Sequence, residues 1–404
     1  MGYFAFVFTT LYLGLSIYLF YHLLRMKISK SLFWSLLVFF TSSFLLGAAA
    51  NWIEIPLSKV TESWFRAFIF ACFVALLMST PILFLRDIVG GVKKVYFRLT
   101  SIEETSAIAF RSRRDFLSSA AITVGAVPFT SLLAGIGGKY NYKIHNYELT
   151  FSNLPKTFNG FKVVQLSDLH LGSFDDLDAV AAGLDLVNDQ RPDLLLFTGD
   201  MVNNKSYEAD PFISMLCKLK ASYGKYSVLG NHDYATYNDD FDSEQARADV
   251  ERLIGLQEQM GFRNLRNESI KITSGDDYFQ LVGVENWGTG RFLKAGDLNR
   301  ASKGLNTGVF TLLMSHDPSH WEAEVIGHNH HFDLTLSGHT HGFQYGIEVA
   351  GLQWSPSKFR YPQWAGMYEK NERLINVNRG FGFLGYPGRF GIWPEITVIT
   401  LKSA

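Results

Sequence analysis

Apolar positions follow two different rules on either side of about residue 139. Before it they come in long unbroken runs, at residues 3–24, 32–50, 67–85 and 116–138. His22 is the one basic residue in the first run, and the other three hold no charged side chain. A hydrocarbon core of roughly 30 Å needs about 20 helical residues, so each run is long enough to cross a bilayer. The fourth run, rich in Gly, Ser and Thr, is the weakest of them. The pattern predicts a helical transmembrane region over residues 1–138. After residue 139 the apolar runs shorten to four or five residues between Gly, Asn and Asp turns. Buried-strand patterns stand at 162–166, 194–198, 225–229, 280–284, 311–314, 334–336 and 396–401. Helical patterns stand at 178–189 and 243–260. Strand, helix and strand in succession predict a crossover unit in an α/β domain covering residues 139–404.

Basic residues between the apolar runs give an orientation. The first loop carries Arg25, Lys27 and Lys30 and no acid. The second sets Lys59 and Arg66 against Glu54 and Glu62. The third holds Arg86, Lys93, Lys94, Arg98, Arg111, Arg113 and Arg114. Loops one and three are therefore expected in the cytoplasm. With a fourth span, the α/β domain is expected outside it, as part of a multi-pass protein of the cell (inner) membrane. Ser112-Arg113-Arg114-Asp115-Phe116-Leu117 ahead of the fourth run resembles a twin-arginine export signal. No small-residue cleavage site closes that run, so an uncleaved anchor is expected.

Composition adds two exclusions. Charged residues make up 19% of the 404, below the roughly 25% usual in soluble domains. Lys and Arg number 37 against 38 Asp and Glu, which argues against a general polyanion binder, so no nucleic-acid partner is expected. Two cysteines, Cys72 and Cys217, cannot frame a disulfide-rich module or a thiolate zinc site.

The chemistry sits just after the predicted strands. In order come Asp168-Leu169-His170, Gly199-Asp200, Gly230-Asn231-His232-Asp233, Ser315-His316 and Gly338-His339-Thr340-His341-Gly342. In open α/β sheets ligands bind beyond the carboxyl ends of strands, so five such ends can converge on one pocket. Carboxylate and amide oxygens mixed with imidazoles suit Mn, Fe or Zn. Two ions sharing one carboxylate need about seven ligands, and Asp168, His170, Asp200, Asn231, His316, His339 and His341 supply that many. Gly199, Gly230, Gly338 and Gly342 are expected to allow tight turns and close backbone approach.

These five blocks, in this order, resemble the calcineurin-like metallophosphoesterases over about residues 162–401. Ser-Asp-Leu-His-Leu-Gly, Thr-Gly-Asp and Gly-His-Thr-His-Gly resemble its bacterial membrane-anchored branch, related to UDP-2,3-diacylglucosamine hydrolases. The resemblance implies a four-layer sandwich, two mixed β-sheets flanked by helices. It implies two divalent metal ions: one on Asp168, His170 and His341, the other on Asn231, His316 and His339, with Asp200 between them. It implies that His232 protonates the leaving group and that Asp233 orients or tunes His232. The expected activity is hydrolysis of a phosphate mono- or diester by a metal-activated hydroxide. Four spans favour a lipid-linked substrate. Two alternatives stand beside this: a cytoplasm-facing UDP-2,3-diacylglucosamine-type pyrophosphatase, and a membrane sensor or transporter whose phosphoesterase-like domain only binds. The Gly- and aromatic-rich tract 379–391 is expected near the pocket, with Arg379 or Arg389 able to meet a phosphate. A second histidine cluster, 328–331, reads as a solvated loop.

Overall fold

The computed structural model describes residues 2–25, 30–52, 58–100, 107–237 and 241–404. The chain divides into two compact units, Met1–Ile136 and Gly137–Ala404. The first is helical: α1 (Gly2–Arg25), α2 (Lys30–Trp52), α3 (Lys59–Thr100) and α4 (Ala107–Gly135). Among the described residues, two helical segments are long and apolar enough to cross a membrane, Lys59–Thr100 and Phe116–Gly138. Shorter apolar stretches run over Thr9–Leu24 and Phe33–Ser42. Lys27 and Glu54 of the expected loops, and the side chains of residues 112–115 in the twin-arginine-like motif, lie outside the described residues. The expected third loop is corrected in part. Arg86, Lys93, Lys94 and Arg98 ride on α3, which continues without a break to Thr100. His22 is buried inside this unit, 2.9 Å from Asp87 Oδ2 and in contact with Arg86.

The second unit is built on strands β1 (Lys143–Phe151), β2 (Phe161–Leu166), β3 (Leu194–Phe197), β4 (Lys225–Ser227), β5 (Phe262–Asn264), β6 (Glu268–Ser274), β7 (Asp277–Gly283), β8 (Thr311–Met314), β9 (Leu334–Ser337), β10 (Ile347–Val349), β11 (Leu352–Trp354), β12 (Gly366–Lys370), β13 (Arg373–Val377) and β14 (Glu395–Ser403). Its helices are α5 (Leu177–Asp189), α6 (Ile213–Leu216), α7 (Ser243–Gln259) and α8 (Leu298–Ala301). One six-stranded sheet runs β1-β14-β2-β3-β4-β5, the other β12-β13-β9-β8-β7-β6. Both are mixed. In the first, β2, β3, β4 and β5 are parallel and β14 opposes β2. In the second, β7, β8, β9 and β13 are parallel and the two edges are antiparallel.

Successive strand side chains point to opposite faces, and here both faces are buried. Val163, Leu194 and Leu196 face Leu281, Leu312 and Leu334 between the sheets. Val164, Leu166, Leu195 and Phe197 face Val180 and Leu184 of α5 and Leu253 of α7. On the far side, Val282, Leu313 and Ile375 pack on Leu298 of α8 and on Trp321 and Val325 of a π-helical turn. Each fully buried Leu or Val contributes about 1.5–3 kcal/mol, so the alternation drives the layering. The result is helix, sheet, sheet, helix.

Candidate metal centre

Parallel strands leave their carboxyl ends on one side of a sheet, and every block of polar residues follows such an end. Asp168 and His170 follow β2, Asp200 follows β3, Asn231 and His232 follow β4, His316 follows β8, and His339 and His341 follow β9. The turns are sharp. Asp168, His170, Asp200, His339 and His341 all have positive φ, between 47° and 71°. Left-handed backbone costs an L-residue about 1–2 kcal/mol. The glycines contribute differently from one another. Gly199 takes φ 99°, whereas Gly338 is needed for space: a Cβ there would collide with Ser167 Oγ and Asp168 Oδ2.

The side chains meet as two trios, Asp168–His170–His341 and Asp200–His316–His339, with the ligand-capable atoms of each within 4.8 Å of one another. His341 Nε2 lies 3.2 Å from Asp168 Oδ1 and 3.0 Å from His170 Nε2. His339 Nδ1 lies 3.3 Å from His316 Nε2. Asp200 Oδ2 lies 3.1 Å from His316 Nε2 and 3.7 Å from His170 Nε2, so one carboxylate oxygen faces both trios.

Supporting groups set the ring orientations. His316 Nδ1 donates to the Thr198 carbonyl at 2.7 Å, which leaves Nε2 toward Asp200. His170 Nδ1 is 3.1 Å from Asn203 Oδ1. His339 Nε2 is 2.8 Å from the Tyr361 hydroxyl. Asn231 Nδ2 donates to the Tyr237 hydroxyl at 2.9 Å, while Asn231 Oδ1 is buried without a hydrogen-bond partner. A buried unpaired amide oxygen is costly. A cation shared with the neighbouring imidazoles and carboxylates would satisfy it, and this set of ligand atoms suits Mn, Fe or Zn.

Electrostatics agree with a cation site. Burial would raise the Asp168 carboxyl, but His341 and its neighbours outweigh it and hold the group below the ordinary carboxylate range. Asp200 is held low in the same way, against burial, first by His316. Burial depresses His170 and His339 toward the neutral ring that a metal requires. His316 is the exception: burial is outweighed by Asp200, which pulls the imidazole up to about 10.

Two expectations are corrected. The Asp233 carboxylate is not hydrogen-bonded to the His232 ring. It accepts from the backbone N–H groups of Asp200, Met201, Val202 and Gly230 at 2.8–3.3 Å. Burial, then the charge of Asp200, pushes it up to about 7. His232 Nδ1 instead donates to the Asn203 carbonyl at 2.7 Å, and its ring lies against Tyr237. Arg379 and Arg389 are not phosphate-facing. Arg379 is buried against Glu395 at 2.5 Å and Glu348 at 2.6 Å, and Arg389 donates to the carbonyls of Arg379 and Gly382. Among the described residues, the Lys or Arg that does reach the site is Arg360. It lines a cavity of about 270 Å³ together with Asp200, Asn231, His232, His339 and His341. In the 328–331 loop, His330 bonds Thr311 Oγ1 at 3.0 Å and Arg373 holds the carbonyls of His328 and His330.

The comparisons with known proteins divide the chain as the fold does. The calcineurin-like phosphoesterase family matches residues 161–343. A family described as "Probable Calcineurin-like phosphoesterase, transmembrane domain" matches residues 2–139. The chain is 33% identical over 305 residues to the uncharacterized metallophosphoesterase YkuE of Bacillus subtilis, covering 72% of this chain and 98% of that one. The chain belongs to the calcineurin-like metallophosphoesterases. A second relative, the transmembrane protein with metallophosphoesterase domain of Danio rerio, is 28% identical over 352 residues, 84% of this chain and 74% of its own. This metallophosphoesterase is thus a phosphoric ester hydrolase that joins a transmembrane region to its catalytic fold.

Sequence reasoning did not find Asn203, Tyr237, Tyr361 or Arg360. Asn203 carried one weak signal, its place three residues after Asp200. Tyr361 and Arg360 come from a segment some twenty residues beyond the last motif and carried none.

Proposed function

We propose that this chain is a membrane-anchored dimetal phosphoesterase that hydrolyses a phosphate mono- or diester, with a lipid-linked ester as the substrate class. In this reading residues 1–138 form the transmembrane region, and residues 139–404 form a catalytic domain outside the cytoplasm, at the cell (inner) membrane. The observation that carries it is the single Asp200 oxygen facing two histidine–aspartate trios, with His232 on the same cavity. Asp168, His170 and His341 would hold one ion, and Asn231, His316 and His339 the other, with Asp200 shared. Two divalent cations there, Mn, Fe or Zn, supply Lewis-acid charge and water of lowered pKa. The protein's own groups do the rest. His232, fixed through Nδ1 on the Asn203 carbonyl, keeps Nε2 for proton transfer to the leaving oxygen. Asp233 holds the amides of the β3 and β4 turns in place around Asp200.

A general acid contributes about 10²–10⁴ in rate, most for poor leaving groups. The test uses the purified full chain, metal analysis and paired esters. His232→Ala should lower hydrolysis of an alkyl diester by about 10²-fold or more and of a nitrophenyl diester far less, with metal content unchanged. Equal losses on both esters would remove His232 from the acid role. Full metal content and activity in Asp200→Asn would remove Asp200 from its shared position.

A further inference from the structure

A two-stranded hairpin, β10–β11, leaves the sandwich directly after the last metal-ligand block. Its turn, Ala350-Gly351, has φ 50° and 83°, the positive pair that a tight hairpin turn requires. The register pairs Ile347 with Trp354, Glu348 with Gln353 and Val349 with Leu352. Alternation therefore places Ile347, Val349, Leu352 and Trp354 on one face, with Glu348 and Gln353 on the other. On the polar face Glu348 ties the hairpin to the protein body through the buried Arg379, and it accepts from the exposed Gln353. The apolar face points to solvent. Ile347 is 48% exposed, Val349 67% and Leu352 62%. Phe343 and Phe359, which flank the hairpin in sequence, are 62% and 79% exposed. Exposed apolar side chains gathered in this way mark an interaction surface.

We propose that this hairpin, with Phe343 and Phe359, inserts into the interfacial layer of a lipid bilayer and sets the metal cavity's mouth at the bilayer surface. Three observations choose lipid over protein. The exposed cations Lys358 and Arg360 border the apolar tips, the pairing that favours anionic headgroups beside acyl chains. The patch is also small. Strands of three residues and two rings fall well short of the roughly 20–30 residues a side of a stable protein interface. Finally, the chain carries apolar helices long enough to keep it at a membrane. The patch adjoins the site itself, because Phe343, Pro356, Ser357, Arg360 and Tyr361 line the cavity that holds the histidines. An ester whose acyl part stays in the bilayer would present its phosphate to that mouth. Only this last step rests on the proposed function.

The test uses the full chain reconstituted in vesicles of phosphatidylcholine and phosphatidylglycerol. In a Cys217→Ser background, an environment-sensitive fluorophore is placed at Leu352→Cys. For comparison it is placed at Asp276→Cys, on the turn between β6 and β7. Nitroxide-bearing lipids should quench the label at 352 and leave the one at 276 bright. No quenching at 352, or equal quenching at both, overturns the proposal. So does self-quenching or crosslinking between copies at 352, which would make the occupant a second chain. In a separate arm, Val349→Asp with Leu352→Asp should lower turnover of a vesicle-embedded phosphoester by about tenfold, the scale set by carboxylates in an apolar interface. Turnover of a soluble nitrophenyl diester should not change. Equal losses on both substrates overturn the docking role. Quenching at 352 in a chain that hydrolyses no ester would uphold docking and remove the catalytic reading instead.

Discussion

At the scale of single residues, the site is held by groups behind the candidate ligands and His232. Asn203 uses its side chain on His170 and its carbonyl on His232, so one residue steadies a proposed ligand and the proposed acid. Asn203→Ala removes only the side-chain half. Metal affinity should fall by about 10–100-fold, the usual effect of losing a group behind a ligand. Competition with a chelator checks it, and the alkyl-to-aryl rate ratio set by His232 should stay near that of the unaltered chain. Asp233 answers to a different measurement. Four backbone N–H groups point at its carboxylate, and each buried donor left unpaired costs about 1–3 kcal/mol. Asp233→Ala should therefore lower the denaturation midpoint sharply and reduce activity toward all esters alike. A stable variant with a selective loss on alkyl esters would restore the expected link to His232.

At the scale of elements, β14 enters the first sheet between β1 and β2, one strand in from the edge. Its first residue, Glu395, is fully buried and accepts from Arg379 Nη1, from the Arg379 backbone and from Thr397. Burial would raise its carboxyl, but Arg379 outweighs burial and holds it below 4.5. A depressed folded pKa contributes stability that is present above the unfolded value and lost as pH falls through the folded one. Glu395→Gln should cost about 3–5 kcal/mol near neutrality, because it leaves Arg379 buried with half its partners. It should also flatten the acid-side loss of stability below about pH 4.5. Urea midpoints measured from neutral to acid pH test both, and an unchanged acid limb would remove Glu395 from that role.

At the scale of the whole molecule, the proposal sets the catalytic domain outside the cytoplasm. The cysteines offer a probe. Cys217 is exposed in the catalytic unit and Cys72 is buried in the helical one. If the domain lies outside the cytoplasm, a membrane-impermeant maleimide should label intact spheroplasts at Cys217, and Cys217→Ser should abolish the signal. Labelling only after lysis would turn the domain toward the cytoplasm.

Much of the protein was legible in the order of its residues. Local pattern determined the apolar helices, the buried strands such as 162–166 and 311–314, and all seven candidate ligands. Those features depend on side-chain type at short spacing. Strands β1, β5, β6 and β10–β13, which lie at the sheet edges, beside one or in the separate hairpin, were not legible. They are short or half-polar and gain stability only from their neighbours in a sheet. The partners of the ligands were not legible either. Tyr361 meets His339, the Asn203 carbonyl meets His232, and Arg379 turns away from the cavity to Glu395. Tertiary structure alone decided these contacts. Hydrogen bonds and ion pairs form between groups brought together by packing, and no local periodicity records which distant loop will supply the second atom.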